Sequence, residues 1–291
     1  MTESPVLEVK TPMPPSTPAA IATKRATVKR ANRKVLFDKP KRRALYSVIL
    51  GLILWEVVGR YVVTNPILFA PLSKVLLALW KIIYTGEIWP NLYVSAAEFV
   101  IGFGLATCVG VLVGVLMATN RLIRNYLDPW VYFFYCSPLV ALMPFYIMIF
   151  GVMLASKIAI VFTVAVFPIL LNTFVGIRSA DQHLLEVGRS FNCTRQQTFR
   201  HILLPSALPF IITGLQLGVG RGLTGVVVGE LFASQEGIGY IIASAGQSFD
   251  TPVLLMGVLI FSIAGVILMA TFGHIERRCA PWKQTQEHDG D

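Results

Sequence analysis

The sequence predicts an all-α membrane protein with six transmembrane helices. Three observations point there. Hydrophobic residues make up 55% of the 291 positions, charged residues only 14%, and mean hydropathy is +0.65, whereas a soluble domain carries about a quarter charged residues. Six apolar stretches (44–63, 92–119, 129–151, 158–177, 208–233 and 252–273) come near or above the roughly 20 residues a helix needs to cross a bilayer core. Basic residues gather in the gaps that alternate crossings place on one side, as Lys and Arg held back in the cytoplasm do. This composition excludes a water-soluble multidomain enzyme, and the net charge of +9 matters through its placement.

Residues 1–43 are polar, proline-rich and basic, with Lys24, Arg25, Lys29, Arg30, Arg33, Lys34, Lys39, Lys41, Arg42 and Arg43. This tail is too long and too charged for the n-region of a cleaved signal peptide, so 44–63 reads as a retained anchor. The tail itself reads as disordered and solvated, with a charge that suits anionic membrane lipid. Segment 72–88 is interrupted by Lys74, Lys81 and Glu87, and its apolar residues recur at helical spacing, which predicts a helix lying in the outer interface. Arg121 and Arg124, then Arg178, Arg189, Arg195 and Arg200, then Arg277, Arg278 and Lys283 fall on the side of the tail, against Arg60, Lys74, Lys81 and Lys157 on the other. Both termini are therefore expected in the cytoplasm, flanking one multi-pass membrane domain over 44–278, with a short C-terminal tail over 279–291.

The loop between the fourth and fifth spans, 178–207, carries signals for two short helices. Ser179 with Gln182, and Thr194 with Gln197, have capping-box spacing. Asn192 suits the left-handed residue that ends a helix. Leu184, Leu185, Val187 and Phe191, then Phe199, Ile202 and Leu203, form apolar stripes, and Pro205 and Pro209 are expected to disrupt the helix before the fifth span. A helix-turn-helix on a basic chain could suggest DNA, but membrane spans tether this one at both ends, so nucleic acid is not an expected partner. An amphipathic loop with a structural role is the plain alternative.

From Glu186 onward the loop resembles the cytoplasmic signature of ABC-importer permeases, Glu-Ala-Ala, three residues, Gly, nine residues, Ile, one residue, Leu-Pro. Glu186 matches, Val187 and Gly188 stand for the alanines, Asn192 for the glycine, and Ile202, Leu204 and Pro205 are in register. The run Leu127 to Arg278 resembles permeases of the nitrate, sulfonate, taurine and bicarbonate group, most visibly in Phe167–Thr173, Leu204–Pro209 and Gly237–Tyr240. The resemblance implies a type I ABC-importer (MetI-like) permease fold in a bacterial cytoplasmic (inner) membrane. It also implies a homodimer working with two ABC ATPase subunits and a periplasmic or extracellular substrate-binding protein. ATP would be bound by the partner subunit, with coupling helices over 179–205 and Glu186, Val187, Gly188, Arg189, Phe191, Asn192 and Thr194 as ATPase-coupling residues. The cargo would be a small solute, an anion such as a sulfonate, nitrate or bicarbonate. An ion-gradient-driven secondary transporter acting without an ATPase is the rival reading.

Catalytic chemistry has no evident seat. No G-x-x-x-x-G-K-[ST] occurs in the sequence, so the nest and lysine that hold ATP phosphates are missing. Gly218–Gly222 resembles a dinucleotide loop, but Leu223 stands at the third glycine and no strand precedes it. Neither His183, His201, His274 and His288 nor Cys108, Cys136, Cys193 and Cys279 have metal-ligand spacing, so no catalytic residue, metal or cofactor is expected.

Within the spans, Gly102, Ala106, Gly110 and Gly114, and Gly214, Gly218 and Gly222 with Gly225 and Gly229 nearby, form small-residue stripes that let helices approach. Glu98 and Arg221 fall at similar depths, which favours an ion pair between them over Arg221 attracting an anionic substrate. Glu56 and Arg60 have the favourable i,i+4 order. Glu230 near the outer end of span five, with Ser137, Pro138, Pro144, Pro168 and Asn172, completes the candidate pathway, since prolines free carbonyls that face protein or a watery cavity.

Overall fold

The computed structural model describes residues 40–63, 65 and 67–279, with side chains from Tyr46 to Arg278. Most of the basic tail expected over 1–43, and of the C-terminal tail over 279–291, therefore lies outside the described residues. The chain divides after Ile53 into two units. In the first, Pro40–Ile53 is helical and the side chains Tyr46 to Ile53 are exposed.

The helices in chain order are α1 (Pro40–Val57, extended by a π turn to Val62), α2 (Leu72–Thr85), α3 (Ile88–Thr119), α4 (Arg121–Cys136) and α5 (Met143–Phe150). Then come α6 (Leu154–Arg178), α7 (Gln182–Ser190), α8 (Arg195–Thr198), α9 (Leu204–Ala233), α10 (Ile238–Gln247) and α11 (Thr251–Cys279). Four described helices are long and apolar enough to cross a bilayer: α3, α6, the continuous helix Arg195–Ala233, and α11. A bent pair can add a fifth. The stretch 44–63 is helical to Val62, and this helix, which begins with Lys41, Arg42 and Arg43, is not among those four.

The bent pair covers the expected span 129–151, which breaks sharply at the interruption by Ser137 and Pro138. After α4 the backbone turns extended at Ser137 (φ −74°, ψ 148°), the conformation that a following proline imposes. Leu139–Leu142 form a 3₁₀ turn before α5, and the two halves meet at 88°. Ser137 Oγ donates to the Phe133 carbonyl at 2.8 Å, satisfying one of the acceptors left free at the break.

The expected helix at 72–88 forms as α2 and ends at Gly86, whose φ of +79° a residue with a Cβ rarely adopts. The helix α10 has no counterpart among the predicted elements. Pro205 and Pro209 do not break the chain before the fifth span. Phe199–Leu203 widens into a π turn that makes room for Pro205 close after it, and the helix runs on through Pro209.

The core of the second unit is a three-helix sandwich with α6 between α3 and α9. Ile160, Val161, Val164, Ala165 and Ile169 of α6 are buried with Phe99, Phe103 and Ala106 of α3 and Val219 and Val226 of α9. The glycine stripes make this approach possible. A Cβ on Gly102 would lie 2.7 Å from Val161 Cβ, and one on Gly225 would lie 3.0 Å from Val161 Cα. By contrast α11 is largely exposed along its length, as a helix facing lipid would be.

Candidate functional site: a capped hairpin and a buried polar cluster

The predicted coupling residues form a short hairpin with fixed ends. Helix α7 starts from Asp181, whose carboxylate accepts the His183 N–H at 2.9 Å. The box expected from Ser179 does not form, because Ser179 Oγ donates back to the Gly176 carbonyl at 2.9 Å. Helix α7 ends at Asn192, with φ of 52°. There the Cys193 N–H donates to the Gly188 carbonyl at 3.0 Å and the Asn192 N–H to the Arg189 carbonyl at 2.9 Å, the two bonds of a Schellman closure. Thr194 then caps α8 in the predicted box. The Gln197 N–H donates to Thr194 Oγ1 at 3.3 Å, and the Thr194 N–H to Gln197 Oε1 at 2.8 Å.

Gly188 is buried and closes the hairpin, since a Cβ there would lie 2.8 Å from Ile202 Cδ1. Along one flank of the same helix Leu184, Val187 and Phe191 are exposed, Phe191 at 79%. Glu186, Arg189, Asn192 and Thr194 are exposed beside them. The hairpin thus buries one side against its own second arm and leaves an apolar row exposed among the described residues.

The intramembrane charges do not pair as depth suggested. Glu98 is fully buried and forms an ion pair with Lys157 of α6, while Arg221 is exposed and in no ion pair among the described residues. Helical phase explains the difference. Glu98 shares the stripe of Gly102, which faces Val161 of α6, whereas Gly222 meets Phe99 of α3. Arg221, one residue earlier and about 100° around the helix, points away. Sequence reasoning placed Lys157 in an outer loop because it lies just before the apolar run that starts at 158. Glu56 and Arg60 do pair, at 2.7 Å.

Around the ion pair lies a polar cluster that the sequence did not reveal. Lys157 Nζ donates to Ser234 Oγ at 3.0 Å. Ser95 Oγ donates to Glu230 Oε1 at 2.5 Å, and Glu230 Oε2 accepts the Gly239 N–H at 2.5 Å. The Ile238 N–H donates to Ser95 Oγ at 3.0 Å and the Gly237 N–H to Asn91 Oδ1 at 2.7 Å. Glu230 is therefore a buried carboxylate seated at the start of α10, where free N–H groups and the helix dipole favour negative charge. The Gly-Ile-Gly run exists for this contact. A Cβ on Gly239 would lie 2.7 Å from Glu230 Oε2 and 2.8 Å from Glu230 Cβ. Gly239→Ala is expected to cost about 1–3 kcal/mol through this overlap, read as a lowered melting temperature of the purified protein.

The remaining predicted pathway residues lie apart. Ser137 and Pro138 form the elbow between α4 and α5. Asn172 Nδ2 donates to the Pro168 carbonyl at 2.8 Å within α6, and its Cβ packs where a side chain on Gly214 would sit. Among the described residues no group of three His, Cys, Asp or Glu side chains could hold a metal.

Residues 110–281 match the family described as binding-protein-dependent transport system inner membrane component. A protein of Bacillus subtilis named as an aliphatic sulfonates transport permease, SsuC, is 32% identical over 89% of this chain and 96% of its own length. The chain belongs to that transport family. This permease is also 28% identical to the taurine transport system permease protein TauC of Escherichia coli, over 79% of the chain and 86% of that protein. Two solved structures share its fold. The MetNI methionine ABC transporter in an inward-facing conformation aligns with TM-score 0.59 at 18% identity, covering 67% of this permease and 97% of the other chain. An amino acid ABC transporter aligns with TM-score 0.56 at 17% identity, covering 69% and 97%. This permease is thus a multi-pass membrane subunit of an ABC importer, with the type I, MetI-like fold.

Proposed function

We propose that this permease forms the translocation pathway for a small anion, with sulfonates as the substrate class, and that it works as a homodimer with two ATPase subunits and an external substrate-binding protein. ATP is bound by the partner ATPase, both termini are cytoplasmic, and the domains are a basic tail over 1–43, the membrane domain over 44–278 and a short tail over 279–291. The observation that carries the coupling half is the row Leu184, Val187 and Phe191, exposed on a helix whose two ends are hydrogen-bonded in place. Such a row is what a groove in a partner protein takes up, and Glu186 precedes Val187 on the same exposed turn. ATP-driven movement of that groove displaces the hairpin, and the helix Arg195–Ala233 carries the displacement into the membrane.

Arg221 supports the substrate half. An exposed guanidinium in the middle of a crossing helix is too costly against hydrocarbon, so it faces a watery path or a second copy. Two copies then place two such cations along one path, whose field favours anions. The relatives named for sulfonates and taurine support the same class. The Ser137–Pro138 elbow and Asn172 complete the proposed pathway.

Proteoliposomes test this reading. Uptake of a labelled alkanesulfonate is expected only when this permease is reconstituted with its ATPase, its binding protein and ATP. Arg221→Gln should cut uptake at least about fivefold while the ATPase stays bound. Uptake by this permease alone, driven by an ion gradient, would overturn the proposal in favour of a secondary transporter.

A further inference from the structure

A cleft of about 910 Å³ opens between the ends of α3 and α6 and the hairpin. Three arginines line it, Arg178, Arg189 and Arg195, with Thr119 and with apolar side chains that include Val115 and Phe199. No carboxylate is among its lining residues, and among the described residues none of the three guanidinium groups is in an ion pair. The Arg178 guanidinium sits over the Phe174 ring, 5.5 Å from its centroid, an arrangement that leaves its N–H edges free to donate.

The level of the cleft matters as much as its charge. Thr119 ends α3 and Arg178 ends α6, and both helices have apolar windows long enough to cross the bilayer. The cleft therefore lies where hydrocarbon gives way to headgroups. A free phosphate would use the arginines and leave the apolar wall in water. A phospholipid with an anionic headgroup uses both, and basic pockets between crossing helices on the cytoplasmic side are where such headgroups bind.

We propose that this cleft binds an anionic phospholipid, its phosphate among Arg178, Arg189 and Arg195 and its first methylenes against Val115 and Phe199. The bound lipid bridges the ends of α3 and α6 to the hairpin, so the anionic lipid content of the membrane sets how firmly the hairpin is seated. The assignment to the cytoplasmic leaflet rests on the orientation proposed above; the binding itself does not.

The test is retention of dioleoyl phosphatidylglycerol by the full-length purified protein after delipidation, followed by native mass spectrometry. Wild type should retain it and should not retain phosphatidylcholine. Arg178→Gln with Arg195→Gln should weaken retention about 30-fold, taking about 1 kcal/mol for each basic residue near the headgroup. Arg121→Gln with Arg124→Gln, on the adjoining α4 but outside the cleft, should leave it unchanged. Thr119→Glu keeps all three arginines and adds a carboxylate at an exposed edge of the cleft. It should weaken retention as well, and so keeps the test decisive if the double variant fails to fold. Equal retention by wild type and the cleft variants, or equal retention of phosphatidylcholine, would overturn the proposal. Displacement of the lipid by excess inorganic phosphate would assign the site to a free anion instead. No ATPase or transport enters the readout, so failure of the importer reading leaves this result interpretable.

Discussion

Replacing Lys157 by methionine is expected to destabilise the protein by about 3–5 kcal/mol, the cost of leaving a buried charge without its partner. Glu98 is fully buried, and Lys157 is the one cation paired with its carboxylate among the described residues. Glu230 is buried nearby, held by Ser95 and Gly239. Methionine matches the length of the lysine stem and removes only the charge and the bond to Ser234. Thermal unfolding in detergent should show a lowered melting temperature, and adding Glu98→Gln should recover much of the loss, because a neutral amide no longer needs the ammonium. A charge exchange between Glu98 and Arg221 should give no rescue, since the two sit on different faces. A Lys157→Met protein as stable as wild type would mean that the ion pair contributes nothing to this core.

The largest effect on transport is expected at Gly188. Gly188→Ala places its methyl 2.8 Å from Ile202 Cδ1, the far end of a side chain that can rotate away, so uptake should remain close to wild type. Gly188→Leu cannot be absorbed this way and pushes α7 off Ile202 in the π turn of the long helix. ATP-dependent uptake should fall by roughly 5–150-fold, the range of a lost coupling free energy of 1–3 kcal/mol, while membrane insertion and ATP hydrolysis persist. Unchanged uptake with leucine at 188 would remove the hairpin from the coupling path.

What was legible in the sequence was whatever a short window determines. The apolar runs, the glycine stripes, the left-handed Asn192, the Thr194–Gln197 box and the Glu56–Arg60 pair are all set by neighbours within one or two turns. The Ser179 box had the right spacing, yet Asp181 caps α7 two residues later because a carboxylate nearer the helix start accepts the free N–H. The polar cluster was illegible because its members come from four separated segments. Ser95, Lys157, Glu230 and Gly239 meet only once α3, α6, α9 and α10 are packed, and depth along a helix does not reveal which way a side chain points. The elbow at Ser137–Pro138 was visible as an interruption, but nothing local distinguishes a kink from an 88° turn.

The continuity of the helix from Arg195 to Ala233 leaves no slack between the hairpin and the seat of Glu230. At about 1.5 Å per residue its 39 residues make a strut of about 58 Å, anchored at one extremity by hydrogen bonds to α10 and ending at the other in the capped turn. A tilt imposed at one extremity is therefore passed toward the other along the helix, with the π turn and Pro209 as the places where it can bend. Stiffness of that stretch, and not any added contact, would make a small shove on one side of the membrane felt on the far side.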